Sequence, residues 1–126
     1  MSPRASSATA HELQRIGLFG SLPGEVLAKL GQRMQREEVA AGKAVVREGD
    51  EGDRFYVVLA GLFSVAQDDL GPRRVLRPGD YFGEVALAMH IPRTASVRAM
   101  TPATVASCDQ ETFDELVRPL FVADDA

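Results

Sequence analysis

The chain has 126 residues, 45% of them apolar and 25% charged, which suits one globular domain and excludes two sizeable ones or a fully disordered chain. Fourteen basic against eighteen acidic residues leave a formal charge of −4, a balance that disfavours nonspecific attachment to nucleic acid or anionic membranes. The longest near-continuous apolar run, Phe55 to Ala66, is twelve residues broken by Gly61 and Ser64, whereas a membrane span needs roughly 18 or more. The N-terminus carries no secretory signal pattern. Cys108 is the single cysteine, so neither an internal disulfide nor a thiolate metal cluster can form. The expectation is a soluble chain in a reducing cytoplasm. Twelve arginines against two lysines, with abundant alanine, hint at a GC-rich bacterial genome.

Residues 1–8 are Ser/Ala-rich and read as a disordered N-terminus. Thr9 followed by Glu12 forms a capping box, and Leu13 and Ile16 share a face of a short helix that stops near Gly17. A second helix opens around Leu22-Pro23, proline suiting a first turn. Its Val26, Leu27, Leu30 and Met34 recur at helical spacing. Beyond Gly31 short β-prone runs alternate with turns about every ten residues. The expected strands are 36–40, 44–47, 54–60, 62–67, 73–77, 96–100 and 103–108. The turns between them are Gly49 to Asp53, Asp68 to Pro72 and Pro78 to Asp80. The connections are too short for crossover helices, so the sheet is expected to be antiparallel: a mainly β chain, a jelly-roll-like β-roll closed on itself with flanking helices. A last short helix, 110–117, ends at Pro119. The domain is expected to span 9–118, with 119–126 as a short tail.

One helical segment, Glu84 to Met89, interrupts the β rhythm. It is embedded in Tyr81-Phe82-Gly83-Glu84-Val85-Ala86-Leu87, with Pro92-Arg93-Thr94-Ala95-Ser96-Val97 following. Gly83 allows close backbone approach to a ligand, and the first-turn amides favour an anion. Arg93 from the next loop supplies a fork matched to phosphate oxygens. Glu84 would repel a bare phosphate but can accept a hydrogen bond from a sugar hydroxyl attached to it. This set suits a singly charged phosphodiester and is too little for a triphosphate, which recruits a P-loop lysine and a metal.

This stretch resembles the phosphate-binding cassette of the cyclic nucleotide-binding domain family. The resemblance implies that Glu84 binds the ribose 2′-hydroxyl and Arg93 the cyclic phosphate. Backbone around Gly83, Val85, Ala86, Thr94 and Ala95 would complete the cradle. Tyr-Phe-Gly-Glu and Arg-Thr-Ala-Ser-Val-Arg-Ala look especially like the cytoplasmic domains of hyperpolarisation-activated channels. Arg47 to Tyr56, Leu59-Ala60-Gly61 and Pro78-Gly79-Asp80 are also similar to family segments and fall in the expected order, so the resemblance covers roughly residues 11 to 118. Thr94, directly after the arginine, is associated in the family with better acceptance of guanine. One neutral hydrogen bond contributes only about 0.5–1.5 kcal/mol, so it tunes selectivity rather than fixing it. Channel domains with the same Arg-Thr-Ala run take both nucleotides and often prefer the adenine form, so the resemblance implies cAMP, with cGMP open. By resemblance Leu76 and Val97 are candidates for base contacts, and core packing explains them equally well.

The remaining residues receive structural roles. His90 is expected in a solvated loop, and with only His11 beside it no multi-histidine metal site can be built. No nucleophile elbow or Cys/His pair is present, so no catalytic residue, cofactor or metal is expected; the nucleotide is a ligand. Phe55, Tyr56 and Phe63 read as core, and Met89 and Met100 as gap fillers. In the family a further helix commonly caps the purine and carries the signal onward. Here seven residues follow Pro119, too few for a stable lid. The expectation is a sensor module acting through a protein partner or a missing output domain. The alternative is an interaction module on the same fold with a vestigial pocket.

Overall fold

The structure, a computed structural model, describes residues 8–68 and 70–122. The capping box forms as expected: the Glu12 amide donates to Thr9 Oγ1 at 3.0 Å and the Thr9 amide to Glu12 Oε1 at 3.1 Å. The helix it opens, α1 (Ala10–Leu13), is a single turn, and a 3-10 turn, Gly17–Phe19, follows it. Pro23 caps α2 (Gly24–Arg33), which buries Leu27 and Leu30. Residues 1–7 of the expected disordered tail lie outside the described residues. Ala8 departs from that expectation. It is 4% exposed and belongs to the core beneath these helices, because α2 offers a glycine, Gly31, against its carbonyl.

Among the described residues eight antiparallel strands follow: β1 (Gln35–Val39), β2 (Ala44–Val46), β3 (Arg54–Ala60), β4 (Phe63–Gln67), β5 (Gly71–Leu76), β6 (Tyr81–Phe82), β7 (Ser96–Ala99) and β8 (Ala103–Asp109). They form two four-stranded sheets, ordered β1-β8-β3-β6 and β2-β7-β4-β5. The mainly β, antiparallel architecture is as expected, but the roll is two facing sheets rather than one hydrogen-bonded barrel. The first sheet is covered on both faces. Phe55 and Val57 of β3 pack with the helices, while Tyr56 and Val58 pack with Phe63, Leu76 and Val97 between the sheets. Double coverage explains why β3 reads as a continuous apolar run instead of alternating. Helix α3 (Glu84–Met89) sits between β6 and β7 in the chain.

Two expectations fail at the periphery. Met89 and Met100 are 65% and 51% exposed, so they fill no gap; each lies at an element's outer end, beyond the reach of the two cores. The C-terminal segment also does not stop at Pro119. It runs as α4 (Gln110–Thr112), a π-turn Phe113–Val117, and α5 (Arg118–Val122). Pro119 is the second residue of α5 and follows directly on the wider π-turn, whose last bond runs from the Arg118 amide to the Phe113 carbonyl. The apolar side of α5 then finds partners: the Phe121 ring meets Tyr81 edge-on at 5.6 Å and Phe113 at 6.3 Å.

Candidate functional site

A cleft of about 160 Å³ lies between the second sheet and the start of α3, lined by Val46, Val65, Arg74, Phe82, Gly83, Glu84, Val85, Ala86, Arg93, Thr94, Ala95 and Val97. All seven residues expected to hold the ligand stand on its wall, although Arg93 to Ala95 and Gly83 to Ala86 belong to different segments. Val97, one of the two candidate base contacts, lines it as well. Leu76 does not. It is fully buried and paired with Phe63 across β5 and β4, where core packing alone accounts for it.

Arg93 is the most constrained of these residues. Its side chain is buried, at 6% exposure. The guanidinium donates to the Arg54 carbonyl at 2.8 Å and to the Gly83 carbonyl at 3.4 Å, the latter a weak contact. Its backbone is tied to the β2–β3 turn: the Arg93 amide donates to Asp50 O at 2.8 Å and the Gly49 amide to Arg93 O at 2.9 Å. This is why the Gly-Asp-Glu-Gly-Asp turn accompanies the arginine in the sequence. Two glycines make room. A Cβ on Gly52 would stand 3.0 Å from Arg93 Nε, and one on Gly83 would stand 2.8 Å from an Arg93 terminal nitrogen. Gly83 also has φ +93°, a left-handed conformation that favours glycine.

The electrostatics point outward. Among the described residues no carboxylate oxygen lies within 4.0 Å of the Arg93 guanidinium. Burial lowers its pKa from the ordinary arginine value, with Tyr56 and Asp53 acting in the opposite direction. A guanidinium remains charged even so, and buried charges are ordinarily paired. Glu84, half-buried in the first turn of α3, brings a hydrogen-bond acceptor to the same wall. The first-turn amides of Glu84, Val85 and Ala86 have no acceptor within the helix. Thr94 is exposed at the rim, its carbonyl accepting from Gln67 Nε2 at 3.1 Å. The cleft can therefore accept an anion carrying a hydroxyl-bearing, partly apolar group.

Sequence reading missed Val46, Val65, Arg74 and Phe82. Arg74 is a second cation on the wall, exposed, and paired with Val65 across β4 and β5. Its period-two relation to Leu76 was visible, but the register that puts it opposite Val65 includes an irregularity between Val65 and Ala66 that no turn residue announces.

The cyclic nucleotide-binding domain family profile matches residues 36–119. The chain is 38% identical over 108 residues to the cAMP-dependent protein kinase regulatory subunit of Eremothecium gossypii, covering 86% of this chain and 24% of the relative. It is 34% identical over 114 residues to the cGMP-dependent protein kinase egl-4 of Caenorhabditis elegans, covering 86% of this chain and 15% of the relative. Among solved structures, the regulatory domain of Toxoplasma gondii PKA with cAMP superposes with a TM-score of 0.84 at 25% identity, covering 92% of this chain and 47% of that one. The regulatory subunit of a cAMP-independent protein kinase A from Trypanosoma brucei gives 0.85 at 22% identity, covering 91% and 42%, and speaks to the fold alone. These relatives are eukaryotic kinase proteins, so neither the bacterial source hinted at by arginine usage nor the channel-like cast of the cassette gains support from them. This chain spans about a quarter or less of the length of these two relatives. With the match extending over most of the sheets and the whole cleft, the chain belongs to the cyclic nucleotide-binding domain family.

Proposed function

We propose that the cleft binds a cyclic nucleotide, cAMP in the first place with cGMP also accepted, and that the chain works as a regulatory sensor without a catalytic step. The observation that carries this is Arg93: a buried guanidinium on the cleft wall whose described partners are carbonyls, leaving its charge for an anion. In this reading Arg93 neutralises the cyclic phosphate and Glu84 accepts from the ribose 2′-hydroxyl. The amides and backbone of Gly83, Val85, Ala86, Thr94 and Ala95 would surround the phosphate, which leaves Val97, Val65 and Arg74 of the cleft wall for the base. No cofactor or metal takes part. The relatives named as kinase regulatory subunits favour a protein partner or a covalently linked output domain as the receiver. The single thiol suits a cytoplasmic setting. No described helix is long and apolar enough to cross a membrane.

Titration calorimetry with cAMP and cGMP on the purified chain tests the reading. Saturable binding at unit stoichiometry supports the sensor. Silence for both nucleotides, in a chain that melts cooperatively, would leave an interaction module with a vestigial pocket.

A further inference from the structure

Helix α3 is held at both ends by arginines from other segments. At its start the Arg93 guanidinium approaches the Gly83 carbonyl. At its end two side chains of the C-terminal segment converge on carbonyls that the helix itself leaves unsatisfied. Arg118 donates to Ala88 O at 3.2 Å and Leu87 O at 3.3 Å, and Gln110 Nε2 donates to Leu87 O at 3.0 Å. Asp114 Oδ1 orders both donors, accepting from Gln110 at 2.9 Å and from Arg118 at 2.7 and 3.0 Å. The Arg118 guanidinium also lies 5.5 Å from the Phe113 ring centroid, which restricts its rotation. A cation at a helix carboxyl end complements the helix dipole. Leu87 is fully buried, so water cannot replace these donors at its carbonyl.

We propose that Arg118, ordered by Asp114, is a positioning residue for the nucleotide cleft: it fixes the carboxyl end of α3 so that the opposite end presents Glu84 to Ala86 to the ligand. The inference rests on the reading of the cleft as a cyclic nucleotide site. A helix of six residues is only about 9 Å long and, being internally hydrogen-bonded, moves as one body. A displacement at Leu87 and Ala88 is therefore felt at Glu84. By linkage the effect is reciprocal, so an occupied cleft favours the Arg118 contacts and steadies the helical segment 110–122.

The test combines cAMP calorimetry with hydrogen exchange in the presence and absence of cAMP, on the wild-type chain and on Arg118→Met, Arg118→Lys and Asp114→Ala. Wild-type binding is expected to slow exchange in both α3 and residues 118–122. Arg118→Met and Asp114→Ala are expected to weaken cAMP at least fivefold, the lower end of ordinary coupling, and to lose the protection at 118–122. Arg118→Lys, which keeps a charged donor, is expected to recover part of both. A purely structural cap would lower the melting temperature of the variants and leave affinity and cAMP-induced protection as in the wild type; that result overturns the inference alone. A wild-type chain that binds neither cAMP nor cGMP overturns the functional reading and this inference with it. Should Arg118→Met fail to fold, Asp114→Ala, altered at an exposed side chain, decides the matter.

Discussion

The Arg93 guanidinium lies 5.9 Å from the ring centroid of Tyr56, and that ring stacks on Phe82 with centroids 4.8 Å apart and planes 4° from parallel. A ring face holds a cation without cancelling its charge, as a carboxylate would. Tyr56 and the Arg54 carbonyl thus orient the guanidinium before any ligand arrives.

Arg93→Ala is expected to cost about 2–5 kcal/mol of cyclic nucleotide binding, the usual effect of unpairing a buried charge, on the order of 30-fold to several thousand-fold in affinity. A residue that served the ligand alone would be dispensable for folding. The burial of Arg93 against Gly52 and its two carbonyl partners change that expectation. A drop in melting temperature should accompany the lost binding. Unaltered affinity in calorimetry would remove Arg93 from the phosphate role.

Glu84→Ala is expected to weaken cAMP while sparing 2′-deoxy-cAMP, which has no hydroxyl to offer. The two ligands should then bind the variant about equally. Competition binding measures this, and equal losses for both ligands would dissociate Glu84 from the ribose.

Gly83 and Gly42 both have positive φ, +93° and +90°, but only at Gly83 would a Cβ meet Arg93. Gly42→Ala should therefore show backbone strain alone, about 1 kcal/mol of stability, with affinity unchanged. Gly83→Ala should lose stability and also weaken cyclic nucleotide at least tenfold by displacing the guanidinium. Matching affinities for the two variants would show that the cradle does not depend on that close approach.

Discrimination between cAMP and cGMP is expected to be modest. The cleft of about 160 Å³ falls below the roughly 300–1,000 Å³ of pockets that enclose a drug-sized ligand, so the purine keeps an open side. Linear AMP, with its doubly charged terminal phosphate, should bind far worse than either cyclic form. A base preference above about a hundredfold, worth about 2.7 kcal/mol, would require a cover over the purine that these described residues do not supply.

Cys108 is buried, and burial raises its thiol pKa from 9.0 to about 12. The folded state thus holds the proton more tightly than the unfolded state. Its contribution to stability is complete below pH 9 and is lost as pH rises from about 9 to about 12, at up to about 1.4 kcal/mol per pH unit. Urea unfolding between pH 8 and 10.5 should show stability falling more steeply in the wild type than in Cys108→Ala, the tyrosines Tyr56 and Tyr81, also raised by burial, leaving a shared residual slope near pH 10. Parallel stability profiles for the two proteins would contradict it.

Much of the architecture was legible because it is written locally. The Thr9–Glu12 box, the helical spacing of Leu27 and Leu30, and the Gly/Pro turns act within a few residues, and the structure follows them. The cleft was legible for another reason: Gly83, Glu84 and Arg93 stand at a spacing that few other residue types would fit in the proposed chemistry, and the structure brings all three to one wall. What the sequence could not determine depends on partners distant in the chain. Ala8 is ordered by α2, Pro119 is carried into a helix by the aromatic contacts of Phe121, and Leu76 is kept from the cleft by Phe63. Arg74 reaches the cleft wall only through its pairing with Val65. The same holds for Arg118, an ordinary surface residue by sequence, which becomes the support of α3 once folding brings it to carbonyls about thirty residues earlier. Composition and short-range pattern determined that this chain folds as antiparallel sheets and which residues would meet at one cleft. The packing of segments far apart in sequence decided how those residues are held, because register and burial are properties of contacts rather than of neighbours along the chain.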